Sequence, residues 1–225
     1  AIESLDETGC TMTVQAGVPL HTVQERAADA DLMFPVDFGA RGSAQIGGAI
    51  STNAGGNAVI RYGMMREQVL GLEAVLADGT VVSSMNRLFK NNAGYDLKQL
   101  FIGTEGTLGI ITRAVLRLRP ALRSRNTAFV AIDDYTNVPS LLKWLGSSLG
   151  GSLTAFEVLW EDFYNTVVVE RDRHAPPVEA GHPWYVLIEA RGGKQEEDAE
   201  QFQAALEEPL DAGLIVDAAF ASGAK

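Results

Sequence analysis

The sequence contains few cysteines, few histidines and no long apolar run. Of its 225 residues one is cysteine and three are histidine, which excludes an intramolecular disulfide framework and a cysteine-based zinc cluster. No stretch of 18 apolar residues occurs, so no transmembrane helix is predicted. Basic residues are scarce too, since 18 Lys and Arg stand against 29 Asp and Glu, for a net charge of −11. This balance disfavours a nucleic-acid partner.

The residues that are present have a globular composition that changes along the chain. Hydrophobic residues make up 46% and charged residues 21%, as in folded domains. Thirteen of the 23 glycines lie between Gly39 and Gly109. Residues 1–120 carry 10 basic and 12 acidic residues, whereas residues 121–225 carry 8 and 17. These shifts, with a proline closing an alternating run, predict a boundary near Pro120 between two domains.

Hydrophobic periodicity predicts an α+β fold class. In the first part we expect short strands and one helix, at 11–16, 69–77, 80–83 and 108–118 for the strands and after Pro19 for the helix. In the second part strands are expected at 127–133, 153–159, 184–190 and 214–220, and helices at 138–149, 161–169 and 195–210. Without the short helix the order is βαββαβ, which is the ferredoxin-like arrangement.

The segment from Pro35 to Gly56 carries six glycines within 20 residues, which predicts loops instead of a packed helix or strand. Glycine lets a ligand approach the backbone closely, and successive N–H groups can form a nest for an anion. Ser43, Thr52 and Asn53 add short side-chain donors. The glycines alone leave two interpretations open, a pyrophosphate site and a set of tight turns in a loop-rich fold.

Neither common nucleotide-binding fingerprint is present. No G-x-x-x-x-G-K-[ST] motif occurs, and the segment from Gly103 to Gly109 reads G-x-x-G-x-x-G ahead of a predicted strand. The dinucleotide-binding fingerprint is G-x-G-x-x-G opening a helix. A Rossmann domain is therefore not expected.

Five sequence blocks occur in a fixed order, at 35–56, 61–63, 70–79, 92–97 and 100–112. Together they closely resemble the FAD-linked oxidases of the vanillyl-alcohol oxidase superfamily. The closest resemblance is to bacterial FAD-dependent D-2-hydroxyacid dehydrogenases of the glycolate oxidase flavin subunit and D-lactate dehydrogenase type. The resemblance implies a flavoprotein that oxidises lactate, glycolate or 2-hydroxyglutarate to the 2-keto acid, with FAD as hydride acceptor.

The same resemblance implies the roles of the two domains. Residues 1–120 would be the second lobe of a vanillyl-alcohol-oxidase-type (PCMH) FAD-binding domain whose first lobe is absent, and residues 121–225 part of the substrate-side cap. The family's upstream glycine loop and downstream histidine motif, which binds a divalent metal in many members, have no counterpart in the sequence. We therefore expect an internal piece of a longer enzyme, inactive alone, whose catalytic base is unknown.

The resemblance also implies which residues surround the cofactor. FAD is expected to bind non-covalently, because the glycine blocks contain no histidine or cysteine for attachment. The residues implied for the pyrophosphate and the flavin are Pro35, Asp37, Gly39, Gly42, Ser43, Ile46, Gly47, Gly48, Thr52, Asn53, Gly55 and Gly56. Those implied near the adenosine are Glu105, Gly106, Gly109, Ile110 and Ile111.

The sequence is also compatible with other functions. A non-catalytic fragment or small-ligand module, and an alcohol or aldonolactone oxidase of the same superfamily, stay open. No metal site is predicted, because His174 and His182 with Glu170, Asp172 and Glu179 lack a rigid ligand spacing.

The expected location and partners follow from the same sequence. The first residues contain neither a basic region nor an apolar run, which predicts no signal peptide and a cytoplasmic location. The expected partners are a small hydroxyacid and an electron acceptor, either a protein or a quinone. A homo-oligomer stays open.

Overall fold

The computed structural model describes residues 1–169 and 175–221. The chain divides into two compact units, residues 1–121 and 122–225, and each is described by itself. Helices and β-sheets occur in both, which confirms the predicted mixed fold class. Three residues considered above as metal ligands, Glu170, Asp172 and His174, lie outside the described residues.

The first unit is built on an antiparallel sheet. Its strands are β1 (Ile2–Asp6), β2 (Thr11–Gln15), β3 (Leu32–Met33), β4 (Val69–Val75), β5 (Val81–Ser84), β6 (Ile110–Arg117) and β7 (Arg119–Pro120). Five of them form one sheet in the order β1-β2-β6-β4-β5, and β3 pairs with β7 separately. The β1-β2 and β4-β5 hairpins therefore lie on either side of β6. This central strand follows both hairpins in the sequence.

Short helices cover the core of this unit. They are α1 (Leu20–Ala28), α2 (Ile46–Ser51), α3 (Val59–Tyr62) and α4 (Met65–Gln68), with a 3₁₀ turn at Leu97–Leu100. Leu20, Val23 and Ala27 are fully buried, because their spacing puts them on one face of α1. They pack in a single cluster with residues of β2, α2 and β6.

The β4-β5 hairpin forms at the predicted turn. Gly79 has φ +86°, a conformation that glycine adopts without strain. The Leu76 amide donates to the Thr80 carbonyl over 2.9 Å. The Asp78 carboxylate accepts the Thr80 amide over 2.9 Å, so the sequence chemistry of the turn fixes the strand register.

The second unit alternates strands and helices. Its elements are β8 (Ser124–Ile132), α5 (Asn137–Ser148), β9 (Leu153–Trp160), α6 (Glu161–Tyr164), a π turn (Asn165–Val169), β10 (Trp184–Gly192), α7 (Gln195–Asp211) and β11 (Asp217–Phe220). The strands form an antiparallel sheet in the order β11-β8-β10-β9. With the short α6 left out, the order of elements is βαββαβ.

Alternate residues of this sheet pack into two separate hydrophobic clusters. Val130 and Ile132 of β8 pack with α5 and α7, whereas Ala131 packs with Tyr164 and Tyr185. The two tyrosine rings stack with centroids 3.9 Å apart. Both faces of the sheet are therefore covered, which follows from the period-2 direction of strand side chains.

One expectation about the glycine segment is wrong. The sequence predicts no helix there, yet α2 contains Gly47 and Gly48. Ile46, Ala49 and Ile50 are buried against the core, and this burial outweighs the low helix propensity of glycine.

Candidate functional site

The start of α2 is anchored on the loop that follows β2. The Ile46 amide donates to the Val18 carbonyl over 2.9 Å, and the Gly47 amide to the Ala16 carbonyl over 2.8 Å. A Cβ on Gly47 would lie 2.7 Å from the Ala16 Cβ, so only glycine permits this approach. These two amides are already paired, and the predicted anion nest cannot use them.

A small cavity lies beside this anchor. Its volume is about 230 Å³, and Gly48 lines it with open space where a Cβ would stand. Ile110 at the start of β6 is 64% exposed, whereas Ile111 is buried. The lining residues are Ala16, Gly17, Gln45, Gly47, Gly48, Ser51, Ile110 and Ile111.

The chemistry of this lining fits part of an FAD molecule. Backbone groups, the Ser51 hydroxyl and the Gln45 amide offer polar contacts, and Ile110 offers an apolar edge. None of the eight lining residues is acidic, so no side chain repels a phosphate. The volume is below the roughly 300–1,000 Å³ of typical ligand sites. This cavity can therefore enclose only a portion of the cofactor.

The segment before α2 is held by Asp37. Its carboxylate pairs with Arg41 at 2.9 Å and accepts a hydrogen bond from Gln24 over 3.3 Å. Gly56 lies directly against the Asp37 backbone oxygen, where a Cβ would overlap it. Asp37 thus fixes the position of the loop at Gly55–Gly56, while Pro35 is buried beside it. Gly39 is exposed and open.

Three side chains predicted as donors to the ligand have local partners. The Ser43 hydroxyl donates to the Ala40 carbonyl over 3.3 Å, and the Thr52 hydroxyl donates to the Gly48 carbonyl over 3.0 Å. Both hydroxyls keep lone pairs but not a spare proton. Asn53 has φ +47°, and its Oδ1 accepts the Arg66 amide over 2.9 Å. Contact of these three residues with FAD stays a prediction.

The two predicted cofactor blocks meet at the end of α2. The Gly103 amide donates to the Ile50 carbonyl over 3.2 Å, and the Glu105 amide donates to the Ser51 carbonyl over 2.9 Å. These bonds satisfy carbonyls that a helix end leaves unpaired. Glu105 has φ +52°, and its side chain is exposed. Gly109 is buried, and a Cβ there would lie 3.0 Å from the Val75 oxygen.

Arg66 connects the same blocks by hydrogen bonds, and no sequence motif pointed to it. Its guanidinium donates to the Gln99 carbonyl over 3.0 Å, to the Gln99 amide oxygen over 2.6 Å and to the Ile102 carbonyl over 2.6 Å. Its backbone amide binds Asn53. Ala16, Gly17, Gln45 and Ser51 were missed as well, because their roles depend on β2 and α2 packing side by side.

Some of the residues predicted to contact FAD line the cavity, and the others lie outside it. Those that line the cavity are Gly47, Gly48, Ile110 and Ile111. Those that shape neighbouring loops or the core are Pro35, Asp37, Gly39, Gly42, Ser43, Ile46, Thr52, Asn53, Gly55, Gly56, Glu105, Gly106 and Gly109.

Over the described ranges no helix is long and apolar enough to cross a membrane. No cluster of three metal-ligating side chains occurs within those ranges either.

Comparison with known proteins identifies relatives of this chain. Residues 1–84 match the family described as FAD binding domain. D-2-hydroxyglutarate dehydrogenase, mitochondrial, of Arabidopsis thaliana is 41% identical over 220 residues, which are 98% of this chain and 39% of the plant protein. A putative mitochondrial D-lactate dehydrogenase of Schizosaccharomyces pombe is 38% identical over 98% of this chain and 42% of its own length.

Further matches extend the comparison. D-2-hydroxyglutarate–pyruvate transhydrogenase of Saccharomyces cerevisiae is 36% identical over 95% of this chain and 43% of its own length. A solved structure of alkyldihydroxyacetonephosphate synthase superposes with a TM-score of 0.74 at 17% identity, covering 99% of this chain and 42% of that one. That likeness shows a shared fold. The chain spans about two fifths of the length of these relatives.

The expectation of a cytoplasmic location is wrong. Relatives from the plant and from fission yeast are named mitochondrial proteins. The expectation rested on the residues at the start of this sequence. Those residues carry no targeting information when the chain aligns to only part of each relative.

Proposed function

Because residues 1–84 match the family described as FAD binding domain, we propose that the whole protein is a flavoenzyme that oxidises a D-2-hydroxy acid to the 2-keto acid. The observation that carries this proposal is the cavity beside α2, whose lining suits a flavin dinucleotide. Relatives about 40% identical are named for D-2-hydroxyglutarate. Lactate and glycolate are the other substrates considered.

In this proposal the first unit serves as one lobe of the FAD-binding domain. Gly48 and Ile110 would face the cofactor, because both are exposed at the cavity. Gly47 would shape the cavity wall, since it lies against Ala16 with no room for a Cβ. Gly56 would hold the neighbouring loop against Asp37, where a Cβ would also overlap. When bound, FAD supplies the hydride acceptor. Non-covalent binding is proposed, because no histidine or cysteine lies between residues 35 and 56.

The second unit is proposed to be part of the substrate-side cap. Its βαββαβ order and two-sided core make it a rigid platform. Oxidation of an alcohol carbon also needs a group that takes the hydroxyl proton. None of the eight residues at the cavity titrates near neutral pH. The proton acceptor is therefore proposed to lie elsewhere in the whole protein.

The electron acceptor is proposed to be a quinone, a protein or a second keto acid. The last of these is suggested by the yeast relative, whose name joins D-2-hydroxyglutarate to pyruvate. Re-oxidation of the reduced flavin by pyruvate, compared with a quinone analogue, separates the alternatives. A homo-oligomer is left as a further proposal, to be measured by light scattering.

The test of the function is anaerobic reduction of the flavin in the whole protein. We expect D-2-hydroxyglutarate, D-lactate or glycolate to bleach the flavin absorbance, and the L-enantiomers of the chiral acids to leave it unchanged. Acid precipitation should release the flavin into the supernatant. Bleaching by no hydroxyacid, or equal bleaching by both enantiomers, contradicts the proposal. The 225-residue chain alone is expected to give no turnover above a free-FAD control.

A further inference from the structure

Two arginines lie on the same side of the chain where β6 passes into β7. Arg117 ends β6 and Arg119 begins β7. Leu116 and Leu118, which alternate with them, are buried in the core of the first unit. Side chains two residues apart on an extended strand point the same way, about 6.6 Å apart. The two guanidinium groups therefore share one surface.

Each guanidinium is held by an aromatic ring. Arg117 Cζ lies 4.8 Å from the centroid of the Phe89 ring, and Arg119 Cζ lies 5.0 Å from the centroid of the Tyr62 ring. Stacking of this kind orients the planar group and leaves its N–H edge available for hydrogen bonds. The terminal Nη groups are thus left as donors, whereas the Nε atom of Arg119 is buried.

No described carboxylate forms an ion pair with either arginine. The Nε atom of Arg119 is buried, and no described atom accepts its hydrogen. The pKa of Arg119 lies below its ordinary value because burial removes water from the charge and because Arg117 and Arg61 repel it. A chain with 29 acidic residues thus keeps two adjacent cations without a described counter-charge, which is costly unless an anion binds.

The backbone under these arginines is fixed. The Leu118 amide donates to the Cys10 carbonyl over 2.8 Å, and the Ala121 amide donates to the Asp31 carbonyl over 2.9 Å. Arg119 also pairs with Met33 across the β3-β7 ladder. A rigid backbone and stacked side chains lower the entropy lost when a ligand binds.

We propose that Arg117 and Arg119 form a binding site for a small oxyanion, and that its occupant is the carboxylate of the 2-hydroxy acid. The identity of the occupant rests on the proposed function, because every 2-hydroxy acid carries a carboxylate beside the carbon that is oxidised. A planar guanidinium edge matches a carboxylate with two parallel hydrogen bonds. Tyr62, whose ring faces Arg119, comes six residues after Gly56 in the sequence.

The experiment follows the arginine Nε–H signals of the ¹⁵N-labelled chain by NMR. D-2-hydroxyglutarate, D-lactate, inorganic phosphate, FAD and chloride are titrated at equal ionic strength. We expect saturable shifts at Arg117 and Arg119 with the hydroxyacids, weaker shifts with phosphate and none with chloride. R119M keeps the stem and removes the charge, and it should weaken hydroxyacid binding about tenfold or more. R26M, on the exposed end of α1, should bind like the parent chain.

Three results would overturn the proposal. The first is the absence of a saturable shift with any oxyanion, which needs no variant to establish. The second is unchanged hydroxyacid binding in folded R119M, or in R117M if the first variant does not fold. The third is a response to phosphate or FAD that exceeds the response to the hydroxyacids, which would remove the substrate carboxylate as occupant. The titration contains no redox step. It therefore tests the arginine site, whereas the bleaching assay tests the flavoenzyme proposal.

Discussion

Glycine has different roles in the two units. In the first unit Gly47, Gly56 and Gly71 each lie where a Cβ would meet a neighbouring segment at less than 3.0 Å. In the second unit Gly146 and Gly151 have open space around them, and Gly151 serves a turn with φ +88°. These three first-unit glycines approach backbone atoms or a Cβ, which cannot move aside, whereas the close approach in the second unit, at Gly192, is to the Asp198 carboxylate. Of the three, Gly47 also lines the cavity.

The largest effect should come from G56A in the first unit. The new Cβ would overlap the Asp37 oxygen, and we expect a loss of about 3 kcal/mol in the free energy of unfolding. All three tryptophans lie in the second unit. Thermal unfolding followed by tryptophan fluorescence should therefore stay near its original midpoint, while far-UV circular dichroism shows an earlier transition.

The control for this variant is G39A, where no atom lies within 4 Å of the added Cβ. It should unfold like the parent chain. Equal stability of G56A and the parent would show that close packing is not what glycine provides at this position.

The next effect concerns the two open helical glycines. G48V in α2 should weaken FAD binding by the whole protein at least about tenfold, because its side chain enters the cavity without meeting the protein. G146V in α5 is the matched control, since it also has open space around it, and FAD affinity should not change. Flavin fluorescence quenching measures both. Unaltered affinity in G48V would remove the cavity from the cofactor site.

A smaller effect, on amide hydrogen exchange, is expected when the hydrogen bonds of the Arg66 side chain are removed. R66M breaks three side-chain hydrogen bonds to residues 99 and 102, and we expect faster amide hydrogen exchange at 97–106 by about tenfold. FAD affinity should fall with it, because the loop caps α2 beside the cavity. R125M removes an arginine from Glu189 in the second unit and should leave exchange at 97–106 unchanged. Protection equal to that of the parent chain would contradict a bracing role.

The smallest effect is a pH dependence carried by Glu3. Hydrogen bonding to Arg113 holds the pKa of this carboxyl below its ordinary value of 4.5. A lowered folded-state pKa stabilises the fold above pH 4.5, and the contribution is lost as pH falls through the lower value. E3Q should therefore unfold slightly more easily at pH 7 and show a weaker loss of stability on acidification. Identical unfolding curves from pH 7 to pH 3 would show that this exposed pair contributes nothing.

The helices and strands with clear apolar spacing were predictable, whereas the helix within the glycine segment was not. Apolar spacing at Val138, Leu141 and Leu145 predicted α5, and burial of all three bears it out. The turn at Asp78–Gly79 was equally clear. In contrast, α2 was excluded by its glycines although three buried apolar residues secure it, because propensity is a weak guide when tertiary packing contributes more.

The candidate site was only partly visible in the sequence. Motif order indicated FAD and the glycine blocks, but it treated every glycine from 39 to 56 as a ligand contact. The structure separates Gly48, which faces open space, from Gly47, which packs on Ala16. Arg66 could not be found, since its partners lie 33 and 36 residues away. Its role exists only after two loops meet.

The sequence by itself indicated the cofactor class and most of the regular strands and helices, because motif order and local periodicity are properties of neighbouring residues. Tertiary structure alone decided which glycines line the cavity and which pack against a neighbouring segment. It also decided which arginines hydrogen-bond to a loop and which stack on an aromatic ring. These outcomes depend on distances between segments far apart in the chain, such as the Arg119–Tyr62 stack. No local pattern encodes such distances, since they follow from how β6, β7 and the glycine segment pack around one core.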